Sequence, residues 1–153
     1  MDALLISGIP ENLTLPHDGL NLHVLVLYTR PQSTLVALRY AAKLPHAEHL
    51  PVRLLIPQVV AYPLPLHQPP VDPDILAERY RTLAEQAGVD ATVDIWYCRD
   101  PWDAVHQALA TPHLVVIGGR RRWWPTQEER LAKRLRAQGH QVIYTESKRE
   151  PNA

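Results

Sequence analysis

Apolar positions along the chain alternate between continuous runs and helical spacing. The first clear run is His23-Val24-Leu25-Val26-Leu27-Tyr28. Strands that read as unbroken apolar runs are buried on both sheet faces, as in parallel sheets. Thr29-Arg30-Pro31-Gln32-Ser33 breaks the run. The spacing then predicts a helix over Thr34–Leu44, with Leu35, Leu38, Ala41 and Ala42 on one face and Pro45 as its stop. Val52–Val60 predicts the second strand. Pro57 within it requires an edge-like position, a bulge or the strand's end, because it has no N–H for a ladder. Tyr62–Pro73 is a Pro-rich connection, extended and stiff.

Asp72-Pro73 combines an N-cap with a proline at the first helical position, so it opens the second helix. Leu76, Tyr80, Leu83 and Ala87 share its inward face, and Gly88 ends it. Ala91–Cys98 alternates and is the third strand. Asp100-Pro101 repeats the helix start; that helix runs to about Ala110, with Trp102, Val105 and Leu109 inward. His113–Gly119 reads as the fourth strand and its turn. Thr126-Gln127-Glu128-Glu129 is a capping box. It begins a helix with acids first and bases later (Lys133, Arg134, Arg136), an order that complements the helix dipole, and Gly139 terminates it. Gln141-Val142-Ile143-Tyr144 is the last strand.

Strict β-α alternation implies a three-layer α/β/α fold around an open, parallel, five-stranded sheet. The expected strand order is 3-2-1-4-5, with an N-terminal extension at residues 1–21, the α/β domain at 22–146 and a polar tail at 147–153. Within the extension, Pro10, Pro16 and Gly19 leave room for one edge strand at most. Such a strand would cover a sheet edge or exchange between subunits. Ligands of open sheets bind beyond the C-terminal strand ends where the strand order reverses. Here that crevice lies between the first and fourth strands, rimmed by Thr29–Ser33 and Gly118–Trp124.

The length of 153 residues is that of one domain and suffices for a real core. Lys+Arg and Asp+Glu are both 16, which removes the whole-domain electrostatic case for nucleic acid or an anionic membrane. A single Cys excludes a disulfide framework within the chain, and no apolar run reaches membrane-spanning length. The N-terminus has no basic region of a signal peptide, so the expectation is a cytoplasmic protein.

The chain resembles the universal stress protein family over about residues 22–144. Val24-Leu25-Val26 resembles the family's first strand. Ala37-Leu38-Arg39-Tyr40-Ala41 resembles its A-L-x-x-A helix signature. Arg99-Asp100-Pro101 followed by Val105 falls at its G-x-P and apolar position, and His113–Gly118 resembles its D-L-I-V-V-G strand. Nucleotide-binding members carry G-x2-G-x9-G-[ST] there. The first glycine matches Gly118, the second falls on Arg121, the third on Leu131 and the following Ser or Thr on Ala132, while the family's first-strand Asp falls on Thr29. The resemblance therefore implies ATP or another nucleotide as the ligand class, in a divergent member that lacks most of the glycine cradle. It also implies a homodimer, since the last strand often pairs across a two-fold axis and Val142, Ile143 and Tyr144 are apolar enough for it. A narrower resemblance concerns Arg122-Trp123-Trp124. Some amino-acid permeases end in a domain similar to universal stress proteins and carry an Arg-Arg-Trp-Trp run after the corresponding strand.

Arg120-Arg121-Arg122-Trp123-Trp124 is the most unusual stretch. As a ligand site, its guanidinium forks would take an anionic small molecule and an indole would stack on a ring. Thr29, Arg30, Ser33, Gly118 and Gly119 would complete that site. A patch for a protein partner and a structural lid of packed Trp are the alternatives. Cys98 reads as a small buried hydrophobe. His46-x-x-His49 has loose metal spacing with no supporting ligands, so no metal is expected. Asp100 and Asp103 are explained by the helix start. No nucleophile elbow, carboxylate pair or Ser–His–Asp set is present, and the expectation is a non-enzymatic stress- or signalling-type protein. The alternative is a dimeric interaction module that has lost its nucleotide and works through the Arg/Trp loop and the last-strand edge.

Overall fold

The computed structural model describes residues 5–7, 23–44, 51–62, 64–65, 71–120 and 124–147. Along the chain these form β1 (Leu5–Ser7), β2 (Val24–Leu27), α1 (Pro31–Ala42), β3 (Val52–Val59), α2 (Pro73–Gln86), β4 (Ala91–Cys98), α3 (Pro101–Ala108), β5 (Leu114–Arg120), α4 (Gln127–Ala137) and β6 (Gln141–Ser147). The sheet order is β1-β6-β5-β2-β3-β4. Strands β2 to β6 are mutually parallel and stand in the order expected from the alternation. A sixth strand from the N-terminal extension, β1, adds to this sheet, antiparallel to β6.

Strand β2 is buried at every position and splits its side chains between two cores. Val24 and Val26 join Ala37, Leu38, Leu76 and Tyr80 under α1 and α2. Leu25 and Leu27 join Val105, Leu109, Ala132 and Leu135 under α3 and α4. Period-two alternation at a strand covered on both faces produces this division.

Helix starts follow local chemistry. Asp72 accepts the Asp74 N–H at 2.8 Å, Asp100 accepts the Trp102 N–H at 2.9 Å, and Thr126 accepts the Glu129 N–H at 3.2 Å. Helix α1 begins at Pro31, three residues before the expected Thr34. Pro31 acts there as a first-turn residue with preset φ rather than as a breaker. The inward face starts earlier as a result: Ser33 and Thr34 are buried with Ala37, Leu38 and Ala41, whereas Ala42 is exposed. Helices α2 and α4 both end in a Schellman motif. Gly88 (φ 74°) and Gly139 (φ 93°) take the left-handed position, and Val89 and His140 return their N–H groups to Ala84 and Leu135 at 3.0 and 3.1 Å.

Pro57 is accommodated by unequal strand lengths. Strand β2 pairs with β3 only from Val52 to Leu55, while β4 pairs along all of Val52–Val59. The Leu55 carbonyl accepts the Tyr28 N–H at 2.9 Å, so odd-numbered β3 residues face β2. Pro57 turns its missing donor to the side where β2 has already ended. Beyond it, Arg99 fixes the start of the Pro-rich connection, donating to the Val60 and Leu64 carbonyls at 2.7 and 2.6 Å and lying 4.0 Å over the Tyr62 ring.

The outer edge of β6 was the expected dimer edge. In the structure Val142, Ile143 and Tyr144 are buried within one chain. The Gln141 N–H turns inward to the His113 carbonyl at 3.1 Å, so even-numbered β6 residues face outward. Tyr144 and Glu146 there lie opposite Ser7 and Leu5 of β1. The Val142 carbonyl accepts from the Arg136 guanidinium at 3.1 Å. A covered edge of this kind blunts edge-to-edge pairing. Deleting residues 1–7 is expected to uncover the Tyr144 and Glu146 backbone and produce concentration-dependent association, measured by light scattering against the full chain.

Candidate functional site

The C-terminal ends of β2 and β5 adjoin, as the strand-order reversal requires. Thr29 lies two residues beyond the end of β2. Its Oγ donates to the Gly118 carbonyl at 2.8 Å, and its N–H donates to Thr34 Oγ at 3.1 Å. One threonine thus ties β2 to β5 and to the first turn of α1. Ser33 is buried in that turn. Its carbonyl lies so close to Gly118 that a Cβ there would overlap it. Gly118 and Gly119 belong to β5 itself rather than to a turn. A Cβ on Gly119 would strike the Tyr144 ring. Both glycines therefore serve close packing, one beneath helix α1 and one beneath an aromatic ring.

Arg30 is the N-cap of α1, and no side chain caps it there. Its guanidinium reaches Glu128, in the first turn of α4, at 3.8 Å. Glu128 and Glu129 place negative charge where the helix dipole is positive. An anion arriving there would meet two carboxylates. Arg120 closes β5 and is exposed, and Trp124 is 49% exposed. Arg121, Arg122 and Trp123, the remainder of the expected anion loop, lie outside the described residues, as does His46-x-x-His49. Leu131 and Ala132, at the third-glycine and hydroxyl positions of the family's motif, instead pack into the core beneath α4, Ala132 at 2% exposure.

Tyr144 belongs to this end of the sheet, a role that its place in the last strand did not disclose. Its hydroxyl lies 3.4 Å from Thr126 Oγ. Burial pushes the phenol up to about 12, with Glu129, Glu128 and Glu146 adding in the same direction and the Thr126 contact opposing. Glu128 was legible only as a dipole partner; the capping box that placed it at the head of α4 was the signal that it would face the strand ends.

Elsewhere, the Cys98 thiol is buried, and burial followed by Asp100 and Asp103 raises its pKa. That setting opposes a reactive thiolate. An open groove along α2 is lined by one helix alone, including Ile75, Arg79 and Thr82. Among the described residues no His/Cys/Asp/Glu group is placed to hold a metal, and no helix is long and apolar enough to cross a membrane.

Two outcomes follow from this packing. Gly118→Ala is expected to destabilise the fold by about 1–3 kcal/mol through overpacking against the α1 backbone, read as a lower urea midpoint. For Tyr144 the folded-state value exceeds the ordinary 10.0, so its stabilising contribution is complete below 10 and is lost as pH rises toward about 12. Tyr144→Phe is expected to reduce the stability lost over that interval, followed by denaturant titration at each pH.

The comparisons with known proteins concern the fold. No protein-family profile matches the chain, and no curated protein matches it. Among solved structures it is similar to a protein of the universal stress protein family from Burkholderia pseudomallei, with 17% identity, a TM-score of 0.45, and coverage of 81% of this chain and 95% of that one. The architecture is an α/β fold whose five parallel strands stand in the order 3-2-1-4-5, and it is the observed pairing of the strands that establishes it.

Proposed function

We propose that the chain is a non-enzymatic stress- or signalling-type domain resembling universal stress proteins, working through protein interaction rather than through a bound nucleotide. One observation carries this reading. The chain's own groups bridge the strand ends where a nucleotide would sit: Thr29 to the Gly118 carbonyl, and Arg30 to Glu128. A phosphate cradle needs backbone N–H groups open to close approach. Here the glycines that would allow such approach are packed beneath Ser33 and Tyr144. Leu131 and Ala132 complete the same picture, because both contribute to the core. Arg120 and Trp124 stand exposed beside the bridged strand ends, and Arg and Trp are the residue types that most often anchor protein interfaces.

A second reading, binding of an anionic small molecule at the same end, is favoured by one detail. Arg30 is half exposed and its contact with Glu128 is long, at 3.8 Å, so an external anion competes with a loosely held carboxylate. Titrating ATP, AMP and a cyclic dinucleotide while following Trp fluorescence separates the two readings. The expected outcome is no saturable change up to about 1 mM ligand. A saturable change lost in Arg30→Ala would establish the second reading and overturn the first.

A further inference from the structure

At the opposite end of the sheet, three imidazoles stand at the starts of three strands: His23 before β2, His113 before β5 and His140 before β6. Their ring centroids lie 5.2 Å apart for His23–His113 and 6.2 Å apart for His113–His140. His140 is buried, at 7% exposure. It occupies the position after the left-handed glycine of α4, where the matching end of α2 carries Val89. The polar ring has a specific partner: the His113 backbone N–H donates to His140 Nδ1 at 3.2 Å. The His113 carbonyl in turn accepts the Gln141 N–H at 3.1 Å. Both backbone groups of His113 are thus held by residues 140 and 141, which opens the β5–β6 pairing.

From this geometry we infer that His140 is an acid-sensitive clasp, closing the β5–β6 end of the sheet when its ring is neutral and releasing it when the ring gains a proton. A backbone N–H can only donate, so Nδ1 must present its lone pair and the proton of the neutral ring must sit on Nε2. The imidazolium carries N–H on both nitrogens, and its Nδ1–H would point at the His113 N–H. The charged groups around the clasp act in the same sense. Burial opposes a positive charge on His140 most strongly, and the nearby His113 and His106, the latter on α3, act in the same direction. His23 is disfavoured as a cation by burial, by His113 and by Arg53, the last of which is paired with Asp94 on β4 at 2.9 Å. The C-terminal dipole of α4 pulls the other way. Its last carbonyls are occupied, however: Arg134 by Gln138 N–H, Leu135 by His140 N–H and Arg136 by Gly139 N–H.

The sign follows from linkage. The folded state disfavours the cation, so the unfolded chain takes up protons first. Stability is complete above the ordinary histidine value of 6.5 and is lost as pH falls below it. The test uses the full chain, with histidine ring signals followed by NMR across pH and urea midpoints measured at about pH 7.5 and about pH 5. His140 is expected to titrate below 6.5, and the unfolding constant to rise on acidification by up to about tenfold per pH unit for each such group. His140→Asn supplies an acceptor oxygen that does not titrate, and it is expected to lose less stability over the same interval. Titration of His140 at or above 6.5 would overturn the inference, as would equal acid sensitivity of His140→Asn. If that variant does not fold, the ring titration of the unaltered chain decides.

Discussion

Val24–Leu27 is four residues long and serves two cores at once. Its even-numbered side chains belong to the core beneath α1 and α2, and its odd-numbered ones to the core beneath α3 and α4. Its backbone is hydrogen-bonded on both sides, to β3 and β5. Strand β5 beside it is built the same way, with Leu114 and Val116 in the first core, Val115 and Ile117 in the second, and pairing to β2 and β6. Truncating any one of these side chains would open a cavity in the core it faces, and cavity cost scales with how little the surroundings collapse. The ligand-binding geometry of such a fold inherits this constraint, because the C-terminal end of β2 is fixed by its packing before any side chain at Thr29 or Arg30 is placed.

Those side chains then satisfy one another. Hydroxyl to carbonyl, guanidinium to carboxylate and hydroxyl beside phenol use up much of the polar capacity of this end of the sheet. Each contact is modest: net hydrogen bonds are worth about 1 kcal/mol, and exposed ion pairs less. Their effect is one of occupancy more than of energy. The same logic holds at the outer edge of β6, where Arg136 and β1 take up backbone groups that a second chain would need.

The alternation of strands and helices, the three capped helix starts and the two glycine stops were all legible in the sequence, because each rests on local chemistry within a few residues; the strand order follows from that alternation only through the packing rules of parallel sheets. The limits were non-local. A three-residue strand between turn-forming residues has no periodicity of its own, so β1 acquires its identity only from β6. Pro31 signals equally a break or a first helical turn, and tertiary packing of Ser33 and Thr34 decides for the turn. Gly118 and Gly119 resemble a turn in sequence. Their requirement comes from Ser33, which precedes them by most of the chain, and from Tyr144, which follows on another strand. The role of Tyr144 at the strand ends was hidden for the same reason, whereas the capping box already placed Glu128 at the head of α4.

The pairing of β1 with β6 also brings residues from near the two ends of the chain side by side. Leu5 stands directly opposite Glu146. Neighbouring strands are about 5 Å apart, so these two positions can be joined by a very short linker. A circularly permuted chain, closed there and opened in the Pro-rich connection after Leu64, would cut the β3–α2–β4 crossover and leave the other three parallel crossovers intact. Such an arrangement also suits insertion of the whole domain into a loop of another protein, since it would enter and leave its host at a single edge.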